Sequence, residues 1–425
     1  MRKKMLKDLK FPETFFSSNR KKLLRKIDDN SVVFIMSSVN KIKNADTMFK
    51  FKQDSNFFYL TGLELTRAVL VMTKIGGKSN SKIYRNILDE RLEKWIGKNT
   101  TDKEIAEISG IKSTDNIKEL GELYDSLFNN IGIEKVYMYN ESTPDEIIPS
   151  YTQVFASNLR RRYNFIKITA INKMIDEMRS VKHPCEIKMM RRAIQITEMG
   201  IRDLLSQTRA GITENECEAI LLYNYLKEGS KQPAFQTIAV SGKDATILHY
   251  EENNKKTQKN DMILIDTGAE YKNYAADISR TFPVKGTFSE MQKKYYDVVL
   301  KASKEVIKAV KPGVTLLELQ EISKKTLFQG LKKLKLARKI EDISKYYYHG
   351  VSHHLGLDTH DVGDRNKPLE KNMVITVEPG IYIAEKSIGI RLENDILVTA
   401  TGHENMSKSI PIEIKDLEQL MKGKK

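Results

Sequence analysis

The sequence predicts a two-domain α/β protein, α+β in its overall layout, with a smaller N-terminal α/β domain and a C-terminal domain that contains an internal pseudo-twofold duplication. The first observation is length, because 425 residues exceed the usual size of one hydrophobic core. The second is an alternation of short apolar runs with helical stretches. The third is a repeated order of helix caps and acidic strand ends. We place the two domains at residues 1–172 and 173–425.

The N-terminal domain is predicted from apolar and aromatic runs that have the length of strands. These predicted strands span residues 31–36, 56–61, 68–72, 83–87 and 135–139. Helices are predicted between them at residues 101–108 and 116–129. Strands that alternate with helices indicate an α/β domain. Nothing in this domain has the spacing of a catalytic site.

The composition excludes several classes of protein. Hydrophobic residues make up 40% and charged residues 30%, which is a soluble globular balance. The two cysteines, Cys185 and Cys217, exclude a disulfide scaffold and a cysteine-rich zinc site, and they favour a reducing cytoplasm. We expect no signal peptide and no membrane segment, because no apolar run approaches the length of a span.

The net charge raises the question of a nucleic-acid partner. It is +15, from 71 basic and 56 acidic residues. The excess is mostly lysine scattered along the chain, and no module with interleaved aromatic and basic residues accompanies it. We therefore expect no specific nucleic-acid binding.

Residues 349–364 contain four of the seven histidines: His349, His353, His354 and His360. Histidine is a frequent metal ligand and the usual proton carrier near neutral pH. Glycines interrupt the segment, which indicates a loop. A single histidine there would be explained by a satisfied polar loop, but four, followed by two acidic strand segments, favour a chemical role.

The C-terminal domain repeats its helix signals. His183 and Pro184 open one helix, since proline suits the first helical turn. Thr213 begins a capping-box sequence, Thr-x-x-Glu, for the next helix. A later helix at residues 295–310 is followed by the same box at Thr315. Chance is the alternative, because capping boxes are common.

The strands of this domain also repeat. Residues 260–266 and 371–378 are apolar runs that end in the carboxylates Asp266 and Glu378. A second acid follows each, Asp277 within residues 275–282 and Glu393 within residues 388–396. Residues 388–396 alternate as one strand, which places Arg391 and Glu393 on the same face. A pseudo-twofold arrangement would bring all four carboxylates to one centre.

Four carboxylates against apolar strands predict bound cations. An ionised carboxylate in such a setting is costly alone, and four together repel. One divalent cation relieves this conflict, and two relieve more of it. An oxygen-rich set with one imidazole suits manganese, cobalt or zinc, whereas pure oxygen sites suit magnesium or calcium. For any one acid alone, a salt bridge or a strand-end cap is the simpler explanation.

These residues resemble the five-ligand pattern of the pita-bread metallopeptidases. The matching positions are Asp266, Asp277, His353, Glu378 and Glu393. The flanking words also match: Ile-Asp-Thr-Gly-Ala-Glu-Tyr, Ala-Asp-Ile-Ser-Arg-Thr-Phe, His-Gly-Val-Ser-His, Val-Glu-Pro-Gly-Ile-Tyr and Gly-Ile-Arg-Leu-Glu-Asn-Asp. Within that superfamily the chain is most similar to Xaa-Pro aminopeptidases (aminopeptidase P), with Xaa-Pro dipeptidases (prolidases) second.

The resemblance extends into the N-terminal domain. Residues 44–62 resemble the creatinase-like N-terminal domain of aminopeptidase P, although Asp54 and Asn56 stand where that family has Asn and Asp. Non-catalytic pita-bread relatives that bind protein or RNA are the remaining alternative. Such relatives typically lack the ligands that this sequence retains.

The resemblance implies a role for each site residue. Asp266 would bind one metal ion, His353 and Glu378 the other, and Asp277 and Glu393 both. Glu378 would also act as general base or proton shuttle, and His249 and His360 would assist at the substrate amine and scissile carbonyl. Arg391 would orient carboxylates and pair with Asp46. His349 and Tyr382 would bind the substrate. His354 and His403 match no catalytic position and are expected to be structural.

The resemblance also implies the reaction. Two divalent ions, Mn²⁺ before Co²⁺ or Zn²⁺, would support hydrolysis of the bond between the first residue and a penultimate proline, by attack of a metal-bridging hydroxide. The partners would be peptides with proline second, and the assembly a homodimer or homotetramer.

Overall fold

The computed structural model describes residues 9–141 and 149–422. The chain divides into two compact units, one of residues 10–179 and one of residues 180–422 together with residue 9. The units meet in sequence at 179/180, and the functional division at 172/173 stays a prediction. None of the described helices is both long and apolar enough to cross a lipid bilayer.

Eight strands lie in the described part of the N-terminal unit, residues 10–141 and 149–179. They are β1 (Ser31–Met36), β2 (Ile42–Asn44), β3 (Thr47–Met48), β4 (Ala68–Ile75), β5 (Lys78–Arg85), β6 (Thr114–Asn116), β7 (Lys135–Met138) and β8 (Lys167–Ala170). Six of them form one mixed sheet in the order β6-β5-β4-β1-β7-β8, and β2 pairs with β3 as a separate hairpin. The central strand β1 is buried along its whole length, as its unbroken apolar sequence predicts.

Seven α-helices accompany these strands. They are α1 (Phe15–Lys26), α2 (Ser55–Thr61), α3 (Glu90–Ile96), α4 (Asp102–Ser109), α5 (Leu120–Tyr124), α6 (Tyr151–Arg162) and α7 (Asn172–Ser180). A 3₁₀ turn (Ile117–Glu119) precedes α5 and a π-helical turn (Asp125–Asn130) follows it. The α/β class of this unit is therefore confirmed.

One predicted strand of this unit is wrong. Residues 56–61 were expected to be a strand because the run is rich in aromatic residues, but they form helix α2. The carboxylate of Asp54 accepts a hydrogen bond from the Phe57 N–H, and Gly62 ends the helix with φ of 71°. These two caps, together with burial of every residue in the helix, outweigh the β-propensity of Phe and Tyr.

The C-terminal unit begins with one half of a repeat. Its elements are α8 (Pro184–Gln207), α9 (Glu214–Lys227), β9 (Ile238–Ser241), a 3₁₀ turn (Gly242–Thr246), β10 (Met262–Thr267), β11 (Glu270–Tyr271), β12 (Tyr274–Ala275) and β13 (Ile278–Pro283). Strand β10 lies between β13 and β9 in an antiparallel three-stranded sheet. Strands β11 and β12 form a two-stranded hairpin.

The second half repeats the order of two helices, strand, hairpin and strand, with no counterpart of β9 among its described residues and with one further strand after the repeat. Its elements are α10 (Glu290–Ala309), α11 (Leu316–Lys333), 3₁₀ turns (Ile340–Lys345 and Ala384–Lys386), β14 (Val374–Val377), β15 (Gly380–Ile383), β16 (Ile388–Arg391), β17 (Asn394–Val398), β18 (His403–Asn405) and a terminal helix α12 (Ile414–Lys422). Strand β17 lies between β14 and β18, and β15 pairs with β16. Both predicted capping boxes are present, at Thr213 and Thr315. The duplication is confirmed in its order of elements.

The predicted single strand at 388–396 is wrong. The chain leaves hairpin strand β16 at Arg391 and enters the three-stranded sheet at Asn394. The same break separates β12 from β13 in the first half, around Asp277. Every residue on both faces of 388–396 is buried, so alternation of polar and apolar positions does not reveal where a chain changes sheets.

Candidate metal centre and active site

Four carboxylates meet where the strands of the two halves end. Asp266 lies within β10 opposite Ser279, and Glu378 follows the last residue of β14. Asp277 and Glu393 occupy the two breaks between hairpin and sheet. The Ser279 hydroxyl donates to Glu393 Oε2 at 2.8 Å, which joins the halves. The predicted convergence of these acids is therefore present.

His353 completes the cluster from the loop before β14. Its Nδ1 lies 2.9 Å from the carbonyl oxygen of His354, which can only accept, so Nδ1 carries a proton. In the neutral ring Nε2 then presents a lone pair. That atom lies 3.3 Å from Asp277 Oδ2 and 3.5 Å from Glu378 Oε1. Two acceptor groups that face each other at this distance need a positive charge between them, from a cation or a proton.

The electrostatics of the metal-free site show the same conflict. Burial raises the pKa of Glu378 to about 7, and the negative charge of Asp277 adds to this shift. Burial also raises the pKa of Glu393 well above its ordinary value, as do the neighbouring carboxylates Asp277 and Glu378. The pKa of Asp277 rises well above its ordinary value for the same two reasons, burial and then Asp266. Burial of several carboxylates together thus disfavours their charged forms, and a cation at the cluster would offset this cost.

The pKa of Asp266 shifts in the opposite direction from those of the other three carboxylates, because Arg391 lies beside it. Burial would raise the pKa of Asp266, but the Arg391 guanidinium outweighs burial and holds that pKa below its ordinary value. The ion pair measures 2.6 Å from Nη2 to Oδ2. Arg391 also donates through Nε to the Ser279 hydroxyl at 2.9 Å and through Nη1 to the Tyr382 hydroxyl at 3.0 Å. The guanidinium thus joins the two halves beside the carboxylates.

A hydrogen-bonded chain leads from Arg391 to the histidine loop. His349 Nδ1 lies 2.8 Å from the Gly350 carbonyl, so its Nε2 is free to accept a proton donor. Tyr382 supplies that donor at 2.8 Å. Burial, followed by the positive charge of Arg391, lowers the pKa of His349 to about 4. His349 is therefore a neutral, oriented imidazole at the edge of the cluster.

The other two predicted histidines are exposed. His360 packs edge-on against His353, with ring centroids 4.4 Å apart. His249 lies in a turn after the Gly242–Thr246 segment. Partial burial lowers the pKa of His360, and the positive charges of His353 and His249 lower it further, which places the three imidazoles in one electrostatic environment. His403 donates through Nδ1 to the Val310 carbonyl at 2.9 Å and lies apart from the cluster.

Sequence reasoning missed three residues that hold the carboxylates. Ser279 contacts both Arg391 and Glu393, and Thr376 Oγ1 accepts from the His353 N–H and lies 3.4 Å from Glu378 Oε1. The carboxylate of Asp395 accepts from the Asp277 N–H at 3.3 Å. Asp395 carries a weak signal as an acid two residues after Glu393, although the two do not share a strand, because Glu393 stands in the break before β17. The hydroxyl residues carry no comparable signal.

The cluster fits a divalent cation. Ligand atoms of Asp277, His353 and Glu393 all lie within 4.8 Å of one another. Asp266 Oδ1 is buried and has no hydrogen-bond partner, and buried acceptors are normally satisfied. The side chains of Asp266 and Glu378 retain 14% and 16% exposure, so the cluster opens on one side. Oxygen donors with one imidazole suit manganese, cobalt or zinc.

Comparison with known proteins gives the class. Residues 188–400 match the model of metallopeptidase family M24, and residues 16–137 match the aminopeptidase P N-terminal domain. The chain therefore belongs to metallopeptidase family M24, with the pita-bread fold in its C-terminal unit.

Particular relatives cover nearly the whole chain. It is 33% identical to the Xaa-Pro aminopeptidase of Escherichia coli K12 over 96% of this chain and 97% of that protein. It is 32% identical to the Xaa-Pro aminopeptidase of Haemophilus influenzae over 97% and 98%. The solved structure of zinc-substituted E. coli aminopeptidase P in complex with product has a TM-score of 0.88 and 31% identity, covering 97% of this chain and 98% of that chain.

Proposed function

We propose that this protein is a metal-dependent aminopeptidase that hydrolyses the bond between the first residue of a peptide and a proline in the second position. One observation carries the proposal: the His353 Nε2 lone pair faces the carboxylates of Asp277 and Glu378, with no donor between them. The family and the relatives named Xaa-Pro aminopeptidase support the choice of reaction.

The cofactor would be two divalent cations, with Mn²⁺ preferred and Co²⁺ or Zn²⁺ as alternatives. Asp266 would hold one ion, His353 and Glu378 the second, and Asp277 and Glu393 would contact both. When bound, the ions supply positive charge that neutralises the carboxylates, polarises a peptide carbonyl and makes water more acidic. The unpartnered Oδ1 of Asp266 supports this assignment.

Glu378 would act as the proton carrier. A general acid or base must lie within reach of the proton that it transfers, and the Glu378 carboxylate lies in the cluster, 3.5 Å from His353 Nε2, with 16% of its side chain exposed. Its carboxylate would take a proton from the attacking water and deliver it to the leaving proline nitrogen. Thr376, 3.4 Å from its Oε1, orients the carboxylate for this exchange.

The histidines and the arginine would hold the substrate. His349 and Tyr382 form a neutral, hydrogen-bonded wall, which suits an apolar proline ring. The exposed imidazoles of His249 and His360 would contact the substrate amine and the scissile carbonyl. Arg391 would keep Asp266 ionised and oriented, and its pairing with Asp46 stays a prediction.

Proline explains why such a site is needed. A bond to proline is a tertiary amide with no N–H, so a peptidase that aligns its substrate as an added strand loses a hydrogen bond there. A site that grips the free amine beside the carboxylates positions the bond without that N–H.

The test is hydrolysis of matched peptides by the purified, Mn²⁺-loaded chain. We expect cleavage of Ala-Pro-Pro into Ala and Pro-Pro, slow cleavage of Ala-Ala-Pro, and little cleavage of the dipeptide Ala-Pro. Cleavage of Ala-Pro in preference to the tripeptide would replace the proposal with a prolidase. If a fully metal-loaded protein leaves both Ala-Pro-Pro and Ala-Pro intact, both assignments are rejected. The Glu378→Gln variant controls for contaminating peptidases.

Assembly and location complete the proposal. We propose a homodimer or homotetramer, as the resemblance implies, and sedimentation of the purified chain tests it. A cytoplasmic location agrees with the two free, buried thiols of Cys185 and Cys217.

A further inference from the structure

The loop that carries the site histidines has little regular structure of its own. Between β14 and the Ile340–Lys345 turn, only His354 makes a β-bridge, with Ile375. This bridge consists of two backbone hydrogen bonds, from Thr376 N to His353 O and from Leu355 N to Val374 O. These bonds fix the backbone but leave open what fixes the His353 ring and the chain beyond it.

The carbonyl oxygen of His354 receives two donors. The His353 ring donates through Nδ1 at 2.9 Å, and the Asp361 backbone N–H donates at 2.9 Å. This carbonyl therefore sets the tautomer of His353, because a ring that donates through Nδ1 keeps Nε2 as a lone pair. It also ties the ring to the segment that begins with His360, which packs against His353.

A buried ion pair holds Asp361 in place. Lys182 Nζ lies 3.1 Å from Asp361 Oδ2, and both side chains are 1% exposed. Lys182 is itself fixed, since its Nζ donates to the Ser180 carbonyl and its backbone N–H donates to the Asn372 carbonyl. Gly356 leaves room for the pair, because a Cβ there would collide with the Asp361 carboxylate and crowd Lys182.

We propose that Lys182 and Asp361 are positioning residues for the metal centre, which through the His354 carbonyl hold His353 in the tautomer that directs Nε2 at Asp277 and Glu378. This inference rests on the proposed ligand role of His353. It also gives the pair a purpose, because a buried ion pair is a poor way to gain stability and is better explained by the geometry it specifies.

The first experiment measures Mn²⁺ affinity of the full-length protein by competition with a chromophoric chelator. Lys182→Met keeps the length of the side chain and removes its charge. We expect affinity to fall by about 10-fold to 100-fold, the range for partners that orient a metal ligand. Arg192→Met is the matched control, because Arg192 forms a buried ion pair with Glu228 at 3.0 Å on the same unit. It should lose stability and keep its Mn²⁺ affinity.

A double variant separates positioning from the cost of an unpaired charge. Lys182→Met combined with Asp361→Asn leaves no buried charge, so thermal stability should recover relative to either single variant. The positioning role predicts that Mn²⁺ affinity stays at least about tenfold below wild type. Recovery of affinity together with stability would overturn the proposal, as would an equal loss in Arg192→Met.

The second experiment needs no metal. In metal-free protein labelled with ¹⁵N-histidine, wild-type His353 should show one tautomer with the proton on Nδ1, assigned by comparison with His353→Gln. The Lys182→Met variant, or the double variant if the single one does not fold, should show both tautomers. An unchanged His353 signal overturns the inference. A wild-type protein that binds no Mn²⁺ would instead reject the proposed function, and the tautomer comparison would still decide this inference.

Discussion

The two halves of the C-terminal unit place their carboxylates alike, but the third strand of each sheet pairs with β10 in the first half and with β17, the counterpart of β13, in the second. In each half one acid lies at or just after the end of a strand, Asp266 in β10 and Glu378 after β14, and the second acid lies where a hairpin passes into the three-stranded sheet. In the first half, the edge of β10 that does not pair with β13 pairs with β9 over four residue pairs. In the second half, the edge of β14 that does not pair with β17 contacts the histidine loop (residues 349–364) through a single bridge, between Ile375 and His354.

This difference teaches how a repeated scaffold acquires an asymmetric site. Regular strand pairing fixes the four acids, which need only be close together. The imidazole needs a particular ring orientation and an open approach, and a loop at a partly paired edge provides both. The pKa values of the corresponding acids also differ between the halves. Arg391 lowers the pKa of Asp266, whereas burial raises the pKa of its counterpart Glu378 to about 7.

The largest expected effect comes from the two acids at the hairpin breaks. Asp277→Asn and Glu393→Gln each remove one charge, from different halves, and we expect equal and severe losses. Mn²⁺ affinity should fall by more than about 100-fold, because these groups contact the ions directly and loss of even an outer partner costs about 10-fold to 100-fold. Glu404→Gln, an exposed acid on β18, is the control. Retained binding in one variant alone would break the equivalence of the halves.

The next largest effect is expected in the pH dependence of stability, through Glu378 in the second half. Glu378 has a folded-state pKa of about 7, above the ordinary value near 4.3 of the unfolded chain. Between these values the folded protein holds a proton that the unfolded chain has lost, so the metal-free protein loses roughly 4 kcal/mol as the pH rises through that window.

Bound cations should remove this loss. The difference in melting temperature between Mn²⁺-loaded and chelator-treated protein should therefore widen from pH 5 to pH 7. Glu378→Gln should flatten the slope of the metal-free protein. A difference that stays constant across this range would contradict the assignment of the raised pKa.

A smaller loss of Mn²⁺ affinity is expected from a substitution on β14, the strand that contacts the histidine loop. Thr376→Val keeps the shape of a fully buried side chain but removes the acceptor of the His353 N–H and a neighbour of Glu378. We expect Mn²⁺ affinity to fall about tenfold. Thr267→Val is the same substitution in the first half, where the hydroxyl contacts Tyr225 and Thr237 instead. It should destabilise the protein without this loss of affinity, and an equal loss would show that the two edges are not functionally different.

The smallest effects should be the same in both halves. Thr213→Ala and Thr315→Ala each remove the side chain of a complete capping box. Each should lower the free energy of unfolding by about 1 kcal/mol and leave peptide hydrolysis unchanged. Urea titration with both variants checks this, and a difference well beyond the error of the titration would show that the repeat is not energetically matched.

The sequence predicted the scaffold and the four carboxylates because each has a local signal, whereas only the family resemblance singled out His353 among the four clustered histidines. Capping boxes, apolar runs and acids at strand ends are visible within a few residues. The sequence did not predict the helix at 55–61 or the sheet changes at residues 276–277 and 392–393. Helix caps determine the helix, and long-range strand pairing determines the sheet changes. Aromatic content and alternation of polar and apolar residues predicted continuous strands at these positions instead.

The supporting residues were harder to predict for a physical reason. Ser279, Thr376 and the Lys182–Asp361 pair act through hydrogen bonds between segments that are distant in the sequence. A hydroxyl or an ion pair has no period and no spacing that distinguishes it from ordinary surface polarity. Only the folded chain brings Lys182, at the start of the unit, to Asp361 beside the site.

The most direct test of the account is the metal content of the purified full-length protein. After loading with Mn²⁺ and removal of free ion, elemental analysis should give two ions per chain, and the Asp277→Asn and Glu393→Gln variants should retain far less. A folded protein that hydrolyses Ala-Pro-Pro while holding no divalent metal would contradict the claim that cations join the carboxylates of the two halves.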